Sequence, residues 1–204
     1  MGFYREHVVP HLISLAMRNR ELVPYRRRVL SAAEGRVLEV GIGSGVNLSF
    51  YPPATEEIFG VEPAPGLIDM ARRAAQRSSA QVRFIEGSAE AIPLESHSVD
   101  TVVMTWTLCS IPDASQSLAE MRRVLKPGGR LLFVEHGQAP EEGVRKWQNR
   151  LTPLWKRLAG GCHLNRPVRT LIESAGFRIG ELTTGYMRGP KPMTFMYEGS
   201  ARPL

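Results

Sequence analysis

Cysteine is nearly missing from this 204-residue chain. Cys109 and Cys162 are too few for a disulfide framework and fit a reducing cytoplasm. Neither belongs to a C-x-x-C pair, so the spacing predicts no metal site. Long apolar runs are missing as well: nothing approaches the roughly 18 residues that cross a bilayer. Met1 to His7 holds no positive stretch leading into an apolar core, so no secretory signal is expected. Aromatic residues reach only 7%, and no basic stripe is interleaved with them, which argues against nucleic acid as a partner. Repeats and low-complexity linkers are absent too. What remains is the composition of one globular domain, 43% hydrophobic and 23% charged, long enough to bury a proper core.

The formal net charge is +6, but the cations are spread along the chain in short groups such as Arg26-Arg27-Arg28, Arg122-Arg123 and Lys156-Arg157. Most fall on amphipathic helix patterns and read as solvated faces. The balance leaves open contact with an acidic surface or with anionic lipid head groups.

The most informative segment is Gly41-Ile42-Gly43-Ser44-Gly45, which closes the apolar run Val37-Leu38-Glu39-Val40. It predicts a strand-to-helix turn at which a ligand lies against bare backbone, because glycine accepts φ > 0 and has no Cβ to hold a ligand away. A helix start behind it would favour a negative group, either a pyrophosphate or a carboxylate. The dinucleotide pattern G-x-G-x-x-G needs its third glycine at Val46, which speaks against a nicotinamide oxidoreductase. Glu39 beside the turn suits an amino group and repels a pyrophosphate. Glu62, 21 positions after Gly41, supplies the acidic residue expected of a nucleotide-type cofactor site.

Strand and helix patterns alternate along the chain. Strands are predicted at Arg36–Val40, Glu57–Val61, Val82–Ile85, Val99–Met104 and Arg130–Glu135, and a closing pair at Phe177–Thr184 and Met193–Glu198. Helices are predicted at Pro65–Arg77, Asp113–Leu125, Glu142–Leu158 and Pro167–Ala175. Asp113 is placed to cap the second of these, with Gln116 at the reciprocal position. Alternation of this kind predicts a parallel sheet with helices on both faces, and ligands beyond the carboxyl ends of its strands. Residues 1–33 lie outside it. There Val8, Leu12, Leu15 and Ala16 form an apolar stripe, expected to pack on the body as a lid or, with Arg18 and Arg20, to touch a membrane.

Several segments then carry a resemblance. Residues 37–45, Gly-Val-Glu-Pro at 60–63, Glu-Gly-Ser-Ala-Glu-Ala-Ile-Pro-Leu at 86–94, Ser-Val-Asp-Thr-Val-Val at 98–103 and Arg-Val-Leu-Lys-Pro-Gly-Gly-Arg-Leu at 123–131 resemble successive motifs of class I S-adenosylmethionine-dependent methyltransferases, in the branch shared with the quinone C-methyltransferases. Thr-Leu-Cys-Ser-Ile at 107–111, Val-Glu-His-Gly at 134–137 and residues 147–166 resemble the small group that includes the microsomal alkyl-thiol methyltransferases. Those carry an N-terminal hydrophobic anchor that residues 1–33 do not match. The resemblance implies a Rossmann-like, doubly wound, mostly parallel seven-stranded sheet with an antiparallel C-terminal strand, spanning 34–204, after a helical extension at 1–33.

It also implies roles. Gly41, Gly43 and Gly45 let backbone approach the methionine end of S-adenosylmethionine, and Glu39 faces its ammonium. Glu62 takes the ribose hydroxyls. Ser88, Ala89 and Leu67 lie at the adenine, while Thr105 and Trp106 border the sulfonium and the acceptor. Such an enzyme mainly aligns donor with acceptor and excludes water. An acceptor thiol needs only a nearby base. His136, just past the fifth strand, is the first expectation for that base and His163 the second. Both cysteines read as structural, since direct transfer needs no enzyme nucleophile. The expected function is methyl transfer to a small apolar acceptor, first choice a thiol, in the cytoplasm. The alternatives are a lipid acceptor (a quinone precursor or a phospholipid amine) and a non-catalytic cofactor-binding module.

Overall fold

The computed structural model describes residues 8–78 and 80–204. The part of the expected N-terminal segment before Val8 therefore lies outside the described residues. Seven strands form one sheet: β1 (Gly35–Val40), β2 (Thr55–Glu62), β3 (Gln81–Glu86), β4 (Val99–Thr105), β5 (Leu125–His136), β6 (Phe177–Tyr186) and β7 (Phe195–Pro203). Their order is β3-β2-β1-β4-β5-β7-β6. The first five pair in parallel, and β7 runs antiparallel between β5 and β6. This is the expected fold.

The central strands read as unbroken apolar runs because both of their faces are covered. Leu38, Val102, Leu131 and Phe133 point into one core with Leu118 and Met121 of α4 (Ala114–Val124) and Ile172 of α6 (Val168–Ser174). Their neighbours Val37, Val103, Leu132 and Val134 point into the other, with Val29 and Leu30 of α2 (Val23–Leu30) and Ala71 of α3 (Pro65–Ala75). Asp113 caps α4 as expected, its Oδ1 accepting from the Gln116 N–H at 2.9 Å. The reciprocal bond is not made: Glu90 takes the Asp113 N–H instead.

Two local expectations fail. No α-helix follows the glycine turn; there is only a 3₁₀ turn, Val46–Ser49. Pro52 and Pro53 stand close behind, and β2 begins at Thr55, so a longer helix has neither the length nor the backbone donors. The macrodipole argument for anion binding there loses its basis. The second failure is in α1 (Val9–Met17), which is apolar around most of its circumference. Its buried residues are Val9, Pro10 and Ser14, whereas Leu12 is 50% and Leu15 73% exposed. The expected stripe points outward, and the helix packs through the opposite side.

Candidate active site

Chain order turns round between β1 and β4, and a cavity of about 660 Å³ opens beyond the carboxyl ends of the strands at that point. Glu39, Gly41, Gly43, Glu62, Leu67, Ser88, Ala89, Thr105, Trp106 and His163 all line it. Nine of the ten residues expected at the cofactor thus come together, from five segments of chain. A larger trough over β6 and β7 is lined by Arg178, Glu181 and Arg202 and holds none of them.

The glycines divide the work. Gly43 has φ +55, and a Cβ built on it would find nothing nearer than 3.8 Å, so a side chain there would project into open cavity. A Cβ on Gly41 would collide with Thr107. Gly45 is the residue that does not reach the cavity. A Cβ there would press on Ala71 and Ala74 of α3 at 3.0–3.1 Å, so its smallness serves helix packing.

Glu62 ends β2 with its carboxylate fixed by two backbone donors, Ala64 N–H at 3.0 Å and Gly43 N–H at 3.2 Å. Burial raises its pKa and those donors oppose the rise. Spare lone pairs on both oxygens remain for hydroxyl donors. Glu39 is fully buried. Its Oε1 accepts from Asn47 Nδ2 and its Oε2 from Tyr51 OH, both at 2.8 Å. Burial lifts its pKa from 4.5 to about 7, against the pull of Tyr51, Asn47 and Arg26.

Arg26 was missed by the sequence reading, which placed it on a solvated face. It is 2% exposed, donates from Nε to Asn47 Oδ1 at 2.8 Å, and stacks its guanidinium 4.7 Å from the Trp106 ring centroid. Burial depresses its pKa to about 10, with Glu39 opposing. The only sequence signal was its spacing from Val29 and Leu30, which puts it on their side of α2.

Trp106 adopts φ 51, a left-handed backbone that a bulky residue takes at a cost of about 1–2 kcal/mol. Its own N–H is held by Val134 O at 2.8 Å. The next two amides, Thr107 and Leu108, both donate to Glu135 Oε1 at 2.7 and 3.0 Å. Glu135 is completely buried, and burial raises its pKa to about 8. It fastens the turn that carries Trp106 into the cavity, a role that its place in Val-Glu-His-Gly at 134–137 did not specify.

The two histidines part ways. His163 lines the cavity, and its Nδ1 lies 3.0 Å from Cys109 O. A carbonyl only accepts, so Nδ1 carries the proton and Nε2 is the ring acceptor. Burial, with Arg166 and Lys156, lowers the pKa of His163 and favours this neutral form. His136, the first expectation for a base, does not line the cavity. Its Nε2 sits 3.1 Å from Cys162 Sγ, and its Nδ1 is buried with no partner. The ring turns onto the cysteines, away from the residues that line the cavity. Cys109 also stays off the wall. Cys109, His136 and Cys162 nevertheless meet with ligand atoms within 4.8 Å of one another, a cluster that spacing did not predict.

α1 contributes Val9, Pro10, Ile13 and Met17 to the rim, and Lys156, Gly160 and Gly161 stand beside them. No helix among the described residues is long and apolar enough to cross a membrane.

These residues fit S-adenosylmethionine on the structure's own terms: a bare-backbone cradle at Gly43, an acceptor-only carboxylate at Glu62, and a buried carboxylate at Glu39 that a cation would hold ionised. A family model described as a methyltransferase domain matches residues 38–133. Thiol S-methyltransferase TMT1B of Rattus norvegicus is 39% identical over 148 residues, 71% of this chain and 60% of the relative. Its Homo sapiens counterpart is 34% identical over 176 residues, 83% of this chain and 70% of the relative. The match thus spans between three-fifths and seven-tenths of these curated relatives. Among solved structures, the N-methyltransferase NodS from Bradyrhizobium japonicum WM9, in complex with S-adenosyl-L-homocysteine, has a TM-score of 0.69 at 15% identity, covering 91% of this chain and 89% of that one. Motifs, sheet order, cavity and relatives agree, and the chain belongs to the class I S-adenosylmethionine-dependent methyltransferase family.

Proposed function

We propose that this protein methylates a small apolar thiol. The carrying observation is the composition of the cavity lining. Ile13, Met17, Ile111 and Pro112 give it apolar side chains, and His163 adds a ring acceptor. The similarity to two proteins named thiol S-methyltransferases supports the same choice.

Glu39 holds the cofactor's ammonium and Glu62 its ribose hydroxyls in this reading. The Gly41 and Gly43 backbone lies along the methionine end, and Leu67, Ser88 and Ala89 along the adenine. Thr105 and Trp106 flank the reacting centre. When bound, S-adenosylmethionine supplies a methyl already activated by a positive sulfur. The protein's part is alignment and exclusion of water. Residues 8–33 act as the cover: α1 closes the rim with apolar side chains, and α2 sends Arg26 beneath Trp106. His163 Nε2 orients the acceptor's S–H and receives its proton.

The test is S-adenosylhomocysteine release against panels of thiols, phenols, amines, and liposomes carrying quinone precursors or ethanolamine lipids. Apolar thiols should exceed the other classes by at least about tenfold in kcat/KM, the lower range for discrimination by a hydrophobic pocket. Faster turnover on liposomes would replace the thiol reading with a lipid one. Cofactor binding without turnover on any class would replace it with a non-catalytic role. His163→Gln should lower kcat/KM by about two orders of magnitude, the lower range for loss of a general base, and leave S-adenosylhomocysteine affinity unchanged.

A further inference from the structure

We propose that Cys109, His136 and Cys162 form a zinc(II) site that ties together three segments behind the cavity wall. Cys109 follows β4, His136 ends β5, and Cys162 follows α5 (Glu142–Leu158). Their two sulfurs and one ring nitrogen lie within 4.8 Å of one another, with His136 Nε2 3.1 Å from Cys162 Sγ. Tetrahedral zinc, with Zn–S about 2.3 Å and Zn–N about 2.0–2.1 Å, sets its ligand atoms roughly 3.5–3.8 Å apart. Small side-chain movements bring the three atoms to that spacing. Two sulfurs and an imidazole are donors that zinc prefers.

The site is held before any ion arrives. His163 N–H donates to Cys109 O at 2.8 Å, and His163 Nδ1–H to the same oxygen at 3.0 Å, which locks the Cys109 and Cys162 loops together. Both cysteines are buried and free, and methyl transfer gives them no task. Burying this many ionisable groups is costly unless their charges are met. None of the three ligands lines the cavity, so the ion stands apart from the methyl-transfer site. It fixes the loops whose next residues, Ser110, Gly161 and His163, do line the cavity.

Zinc alone, and cobalt(II) as its spectroscopic substitute, are the probes. The full chain, purified under reducing conditions and dialysed against trace zinc, should retain about one equivalent by elemental analysis, whereas Cys109→Ser/Cys162→Ser should fall below about a tenth. Cobalt(II) added to the metal-stripped wild type should give thiolate charge-transfer bands and the intense visible bands of a tetrahedral centre. This reading needs no variant to fold. His136→Gln should weaken zinc retention in competition with a chelator by at least about tenfold, and zinc should raise the melting temperature of the stripped wild type. Three results would each overturn the site: zinc content in the wild type no higher than in the double variant, cobalt spectra without thiolate bands, or a Cys109–Cys162 disulfide as the resting state in reducing buffer. None of these measurements depends on the acceptor.

Discussion

Cofactor affinity should rise with pH through neutrality, because Glu39 has to ionise to receive an ammonium. In the free protein this carboxyl has a pKa of about 7, set first by burial and moderated by Tyr51, Asn47 and the Arg26 guanidinium facing it from α2. At pH 6 about one molecule in eleven carries the ionised form, and at pH 7.5 about three in four. If binding requires that form, the association constant for S-adenosylhomocysteine should increase about eightfold between those values. Calorimetry at matched ionic strength measures this directly. Glu39→Gln should flatten most of the slope and weaken binding at pH 7.5 by at least about tenfold, the loss of a bond to a charged group. The substitution suits the site, since an amide oxygen can accept from Asn47 while its NH₂ donates to Tyr51. Any residual slope belongs to Glu62, whose pKa is also raised. There is a stability counterpart. A carboxyl whose folded pKa lies above its unfolded value of 4.5 stabilises the fold fully only below that value, and this contribution is lost as pH rises through about 7. At pH 8 the free wild type should therefore be less stable than Glu39→Gln, by up to about 3 kcal/mol. An undiminished pH slope in the variant, or no slope in the wild type, would refute the assignment of Glu39 to the ammonium.

Gly43→Val should abolish cofactor binding by calorimetry with only a modest drop in melting temperature, because its Cβ meets cavity and not protein, and the φ of +55 costs about 1–2 kcal/mol. Glu62→Ala should reduce affinity at least about tenfold while the far-UV spectrum stays unchanged. Deleting residues 1–20 should leave a folded protein that binds cofactor but turns over the best acceptor much more slowly; full activity would remove the lid role. With the exposed Leu12 and Leu15 on α1 and Trp147 and Leu154 on α5, the same truncation tests membrane contact, since activity lost only on liposomes would assign the segment to a lipid surface.

The sheet was legible because each of its parts obeys a local rule. Val37–Val40, Val99–Met104 and Leu131–Val134 are apolar runs of strand length, and Pro65, Asp113 and Gly176 mark helix ends. The cavity-lining residues expected at the cofactor were legible for a related reason. Apart from Glu39 and Leu67, they stand one to four positions past predicted strands, and parallel sheets place ligands there. Where local patterns were ambiguous, the reading failed. α1 offers apolar residues on several sides, so periodicity alone could not choose the packed face, and contact with the body chose Val9 and Pro10. The glycine turn carried a helix signal that two prolines and the early start of β2 cut to one 3₁₀ turn.

By itself, then, the sequence determined the succession of strands and helices, the glycine cradle and the carboxylates beside it, because short-range spacing sets strands, turns and the residues that leave them. Tertiary structure alone decided which arginine of Arg26-Arg27-Arg28 goes inside, since burial depends on what α2 meets across Asn47 and Trp106. It decided which histidine faces the cavity, since His163 lines it while the His136 ring sits on Cys162. It also brought Cys109, His136 and Cys162 together from three segments, a juxtaposition that exists only once β4, β5 and α5 end side by side.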